Sequence, residues 1–176
     1  MRRIGFVFAA LLPCALLSTS PILPPGTGNA LIGEASAQTA NLVILDNSAT
    51  LTPTAMDYEN DYVEVVGTSG VRINAHSSSP TGMAIYVRCG DAAPQIRLAD
   101  FLLRTRTPPG TRGTSMAGYA PVAATNQLLW STGVQQNGNR RIEVDLRIRN
   151  LFGYGDGLGA GTTQYSNTLT FTLFVP

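Results

Sequence analysis

Ile142-Glu143-Val144-Asp145-Leu146-Arg147-Ile148-Arg149 decides the fold class. Four aliphatic residues hold alternate positions, and two acids followed by two arginines hold the positions between them. A period of two puts the aliphatics on one face of an extended strand and the charges on the other. One buried face and one solvated face mark an antiparallel sheet. Glu143 and Asp145 point outward with Arg147 and Arg149, and this charged face reads as cross-strand charge pairs with neighbouring strands. It does not read as an acid/base pair, because carboxylates on an open sheet face lack the burial that tunes a catalytic pKa.

The same alternation recurs along the chain. Val71 to Ala75 alternates, as does Met83, Ile85, Val87, Cys89. In Thr168 to Val175, Leu169, Phe171, Leu173 and Val175 fall on one side and three threonines on the other. Val, Ile, Thr and Phe suit a pleated surface. The breaks carry turn chemistry. Gly67-Thr68-Ser69-Gly70 between Tyr62–Val66 and Val71–Ala75 predicts a hairpin. Ser77–Gly82, Pro108–Gly113, Asn137-Gly138-Asn139 and Gly153–Gly161 read as further turns. Helix signal is thin: Ala99–Arg104 offers one turn, stopped by Thr105, Thr107 and the Pro pair. No repeat of 20 to 50 residues is visible, which excludes solenoids and propellers. Seven to eight short strands at roughly ten-residue spacing describe an all-β antiparallel sandwich, in which two stacked sheets hide both apolar faces.

Composition narrows the chemistry. The 176 residues include 12 arginines and no lysine, one histidine and two cysteines. Lysine Schiff bases and P-loop phosphate cradles are excluded, and a multi-ligand zinc site is disfavoured. Charged residues make up 13%, about half the share of an average soluble domain.

The N-terminus reads as an address. Met1-Arg2-Arg3 precedes an apolar run from Ile4 to Leu17, interrupted by Pro13. The run is too short for a spanning helix, which needs about 20 apolar residues, and fits a secretory signal peptide. Ala35-Ser36-Ala37 before Gln38 is the expected cleavage site, with Gly28-Asn29-Ala30 as a weaker alternative. This divides the chain into a leader, 1–37, and a single sandwich domain, 38–176, with no membrane span once the leader is removed. Cys14 falls in the leader. Cys89 is then the only cysteine of the exported part, read as a buried thiol or an intermolecular disulfide. Residues 38–64 hold five acids and no base, whereas the rest holds ten arginines and five acids. The exported part is therefore neutral overall, which with the export signal disfavours nucleic acid.

Several segments invite a functional reading. Gly153-Tyr154-Gly155-Asp156-Gly157-Leu158-Gly159-Ala160-Gly161 lacks the strand-before, helix-after setting of a dinucleotide loop and reads as a long loop. Through Tyr154 it offers a place for a glycan or surface ligand. Asp57 to Glu64 gathers oxygen ligands suited to Ca²⁺, without the spacing of an EF-hand; otherwise it is a polar loop entering a strand. His76 stands beside Ser77-Ser78-Ser79, but no Gly-x-Ser-x-Gly elbow is present. No catalytic residue and no cofactor is expected.

Gly161, Tyr165, Asn167 and the closing Thr168-Leu169-Thr170-Phe171-Thr172 resemble the C-terminal segment of the exported spore coat protein U and archaic pilin-type domains. Leu51-Thr52-Pro53 through Asp57-Tyr58 to Tyr62-Val63-Glu64 also resembles bacterial surface proteins of this β-sandwich sort. Unlike the common form, this chain has Asn167 where Asp is usual and no paired cysteines in the exported part. The resemblance implies an incomplete immunoglobulin-like sandwich, completed by a strand from a neighbouring subunit or a chaperone. Leu42, Val43, Ile44 and Leu45 would be the donor, or would pair in their own sheet. Leu169, Phe171 and Leu173 of the last strand would carry the contact. The expected function is a non-enzymatic structural or surface subunit of the periplasm or cell surface, coat- or pilus-like and self-associating. The alternative is a secreted monomeric binding module, adhesin-like, that uses Tyr154.

Overall fold

A computed structural model of the chain describes residues 4–10, 38–46, 48–106, 113–154 and 165–176. Two sheets pack face to face as an all-β sandwich. The first sheet holds β1 (Ile4–Ala10), β3 (Thr50–Leu51), β6 (Met83–Cys89), β8 (Thr114–Ser115), β10 (Gln127–Thr132) and β12 (Ser166–Phe174). Its spatial order is β3-β1-β12-β6-β10-β8. The second has the order β2-β5-β11-β7-β9. Its strands are β2 (Ala40–Ile44), β5 (Val71–Ser77), β7 (Phe101–Arg106), β9 (Ala120–Pro121) and β11 (Gln136–Arg149). A further strand of that sheet, β4 (Tyr62–Val65), pairs with β11 beyond the end of β5. From residue 38 onward, eight described strands are four residues or longer (β2, β4, β5, β6, β7, β10, β11, β12). This is the expected framework, and the two-residue strands are additions to its edges.

The core follows the alternation. Val71, Ile73 and Ala75 of β5 point inward, as do Ile142, Val144, Leu146 and Ile148 of β11. They meet Met83, Ile85 and Val87 of β6 and Leu169 and Phe171 of β12 from the opposite sheet. Among the described residues, Trp130, Phe101 and Phe171 are the largest fully buried side chains. A register shift between Leu128 and Trp130 breaks the alternation of β10, so that Leu129 and Trp130 are both buried. Such a bulge re-aims a side chain at the cost of one ladder position.

Three local expectations are corrected. Tyr62–Val65 and Val71–Ser77 do not form a hairpin. Both pair antiparallel with β11, β4 with Leu146–Arg149 and β5 with Gln136–Val144. The intervening Gly67–Ser69 is a 3-10 turn that offsets the chain without reversing it, and Gly70 lies against the Val144 carbonyl. Asn137-Gly138-Asn139 lies inside β11 as an irregularity between Gln136 and Arg140. The long partner strand β5 carries the ladder past it. Ala99–Arg104 is not helical, because after a turn at Asp100, Phe101 enters β7.

One helix was not anticipated. α1 (Ala55–Asn60) stands where a polar loop was expected, within the acidic stretch. Thr54 and Asp57 form its capping box: the Asp57 N–H donates to Thr54 Oγ1 at 3.4 Å and the Thr54 N–H to Asp57 Oδ2 at 2.7 Å. Asp61 ends it in the left-handed conformation, φ 57°. Its Oδ1 then accepts from the Leu151 N–H at 2.9 Å, tying α1 to the end of β11.

Candidate functional site: the slot between β3 and β12

β12 is the floor of the candidate site. Asn167, Leu169 and Phe171 face the core and are buried. Asn167 acts as a backbone substitute: its Oδ1 accepts from the Ile96 N–H at 2.9 Å, and its Nδ2 donates to the Ile96 carbonyl at 2.8 Å. Burying an amide requires such pairing. On the β6 side, the Gly90 N–H donates to the Thr168 carbonyl at 2.8 Å and the Thr168 N–H to Asp91 Oδ2. Backbone polar groups alternate sides along a strand. Those of Asn167, Leu169 and Phe171 therefore face away from β6, toward β3.

β3 is not the neighbour they meet. Among the described residues β3 and β12 share no ladder, and β1 lies between them. β1 runs parallel to β12, with Gly5 opposite Ser166 through Ala10 opposite Phe171. It runs antiparallel to β3, with Ile4 opposite Leu51 and Gly5 opposite Thr50. Adjacent strands are about 4.8 Å apart, so β12 and β3 are held about two spacings apart by the strand between them. The segment in that position is the front of the apolar run read as a leader. Without it, three backbone N–H and three C=O groups of β12 would need another partner.

The proposed donor, residues 42–45, lies elsewhere. Leu42, Val43 and Ile44 pair with Ala75, Asn74 and Ile73 of β5, and the Leu45 N–H donates to the Arg72 carbonyl at 2.8 Å. Leu42 is buried, Ile44 half-buried, and Val43 and Leu45 are exposed. β2 is thus an edge strand of its own sheet, with Asp46 and Arg72 paired beside it at 2.5 Å. Arg72 holds the Asp46 carboxyl below its ordinary pKa. Leu173 is half-buried near the end of β12. Gln38 is exposed at the start of the described stretch; Ala35, Ala37, Cys14 and residues 155–164 lie outside the described residues.

Tyr154 closes a different cluster. Its hydroxyl donates to Asp100 Oδ2 at 3.0 Å and accepts from the Arg97 N–H at 3.2 Å. Burial, then the Asp100 carboxylate, push its pKa up to about 12. Asp100 is itself buried and also accepts from Asn150 Nδ2. The Tyr165 hydroxyl donates to the Tyr154 carbonyl at 2.5 Å. The residues on both sides of the Gly-rich segment are therefore anchored to the sandwich, and the Tyr154 hydroxyl makes its bonds inside the fold.

The outward face of the second sheet carries a ladder of arginines and tyrosines. The Arg147 guanidinium lies 4.3 Å from the Tyr62 ring centre and 4.0 Å from that of Tyr119, and Arg104 lies 4.5 Å from Tyr119. Arg147 also pairs with Glu64 at 2.7 Å, and the Tyr119 hydroxyl donates to the same carboxylate oxygen at 2.9 Å. Stacking of this kind uses the planar guanidinium. The alternation placed Glu143 and Asp145 outward. It did not show that Asp145 is fully buried there, covered by the Gly67 backbone, whose N–H donates to it at 2.8 Å. Tyr119 stands outside any periodic segment, so no sequence signal marked it. Burial raises the Cys89 thiol pKa. No group of three potential metal ligands occurs among the described residues. No described helix is long and apolar enough to cross a membrane.

No protein-family model matches the chain, and no curated protein matches it.

Proposed function

We propose that the protein is an exported, non-enzymatic structural subunit of the coat or pilus kind, and that it associates by strand addition at the slot between β3 and β12. One observation carries this reading. A segment with the sequence character of a removable leader holds an interior position in the first sheet, between β3 and β12. Once that segment is gone, the inward-facing strand of Asn167, Leu169 and Phe171 needs a replacement from another molecule. The resemblance to spore coat protein U and archaic pilin-type domains points the same way. So do the buried carboxylates Asp100 and Asp145, whose hydrogen bonds go to arginines, an asparagine, a tyrosine and a backbone N–H of the fold.

The test is the assembly state of protein recovered after export from a bacterial host. Size-exclusion chromatography with light scattering, followed by electron microscopy, should show oligomers or filaments that resist mild detergent. A stable monomer with its N-terminus at Gln38 defeats the reading.

A further inference from the structure

Strand addition says that the slot is filled, not what fills it or in which direction. The register of β1 bears on both questions. Residues paired across a ladder lie on the same face of a sheet. The β12 residues that face both slot and core are Asn167, Leu169 and Phe171, and their partners on β1 are Phe6, Phe8 and Ala10. The occupant thus stands opposite those residues at three alternate register positions, which the sequence fills with Phe, Phe and Ala. The residues between them, Val7 and Ala9, pair with Thr168 and Thr170. Residues 4–10 carry no charge. A charge laid opposite Asn167, Leu169 and Phe171, which are buried, would be expensive to desolvate.

We propose that residues 4–10 are the in-cis occupant of the slot in the uncleaved chain, docked parallel to β12. The leader then doubles as a plug: the same segment that addresses the chain also closes its acceptor site until it is removed. The trans occupant that succeeds it is a strand of the same chemistry, uncharged, with apolar residues two apart set against Asn167, Leu169 and Phe171. This rests on the strand-addition reading only for the successor; the plug is a statement about the uncleaved chain.

The experiment uses the full chain with a specific-protease sequence in place of residues 34–37. After cutting under native conditions, the N-terminal fragment should stay bound and co-elute. A labelled peptide of residues 4–10 should exchange into its place, and the Phe8→Asp peptide should bind at least about tenfold more weakly. Direction is read by cross-linking in a Cys14→Ser, Cys89→Ser background. Gly5→Cys with Ser166→Cys should form a disulfide, since these positions are paired. Gly5→Cys with Thr170→Cys should not, since Thr170 lies about 13 Å further along the strand, whereas an antiparallel strand over the same span would bring residue 5 beside it. Immediate loss of the fragment without peptide binding overturns the proposal, as does linkage of 5 to 170 in preference to 166. If the cysteine variants fail to fold, the cut chain decides alone. Peptide binding without self-association of the cut chain keeps the plug and defeats the subunit reading. Self-association without peptide binding does the reverse.

Discussion

Arg104 and Asp145 form a lopsided pair: the carboxylate is fully buried, whereas the guanidinium keeps about a third of its surface in water. Their Nε–Oδ2 distance is 2.8 Å, and Arg106 approaches the same oxygen at 3.4 Å. Asp145 therefore serves as the shared acceptor beneath the turn at Gly67. Asp145→Asn keeps the shape and removes the charge. It should cost about 2 kcal/mol, below the cost of breaking a fully buried pair because the arginines can turn to water. Urea unfolding of Asp145→Asn beside Arg106→Gln checks this. The arginine variant, half exposed, should shift stability by about 0.5 kcal/mol or less.

Two tyrosines set the alkaline limit. Burial, followed by the Glu64 hydrogen bond, raises the Tyr119 pKa to about 12, and Tyr154 is raised to about 12 beside Asp100. In the unfolded chain both ionise near 10.0. The unfolded state then binds fewer protons than the folded one between those values, so stability is full below about pH 10 and falls as pH rises toward 12. A Tyr119→Phe, Tyr154→Phe double variant should lose stability less steeply over that interval. Denaturant midpoints at pH 9, 10 and 11 read the difference, and equal slopes in the two proteins would contradict it.

Gly82 tolerates no side chain. Its φ is +86°, and a Cβ there would lie 2.0 Å from the Thr132 carbonyl oxygen. Both the left-handed backbone and the clash oppose substitution. Gly82→Ala should destabilise by at least about 2 kcal/mol, read as a lowered thermal midpoint.

The two phenylalanines of β12 should separate by burial. Phe171 is fully buried, and Phe171→Ala should cost about 3–5 kcal/mol. Phe174 is 53% exposed, and Phe174→Ala should cost about 0.5 kcal/mol or less in an isolated chain. Chemical denaturation of the two variants at equal concentration distinguishes them.

The sandwich was legible because its longest strands are half-buried: Ile142, Val144, Leu146 and Ile148 announce their face by their spacing. Position within the sheets was less legible. Nothing local in Gly67–Gly70 says whether the chain reverses or merely steps aside. That outcome depends on β11 being long enough to serve both β4 and β5. The capping pair Thr54 and Asp57 was present in the sequence as a helix signal, but the surrounding acids drew the reading toward a loop. Leu42 to Leu45 has the look of a free donor, yet its alternation serves equally well at the edge of its own sheet. The slot itself could not be read locally, since it is made by residues more than a hundred positions apart. The apolar run from Ile4 onward fits an export signal and a buried strand alike, because both ask only for an uncharged apolar segment.

β1 and β12 are the first and last described strands of the chain, and they are neighbours. The first sheet therefore cannot close around β1 until Ser166–Phe174 has been made. A ribosome-bound chain would carry β6 and β10 ready to pair while still lacking β12, the strand that joins β1 to them. Such long-range closure slows folding, and it leaves the N-terminal strand without its β12 ladder until a segment more than 150 residues further along has been made.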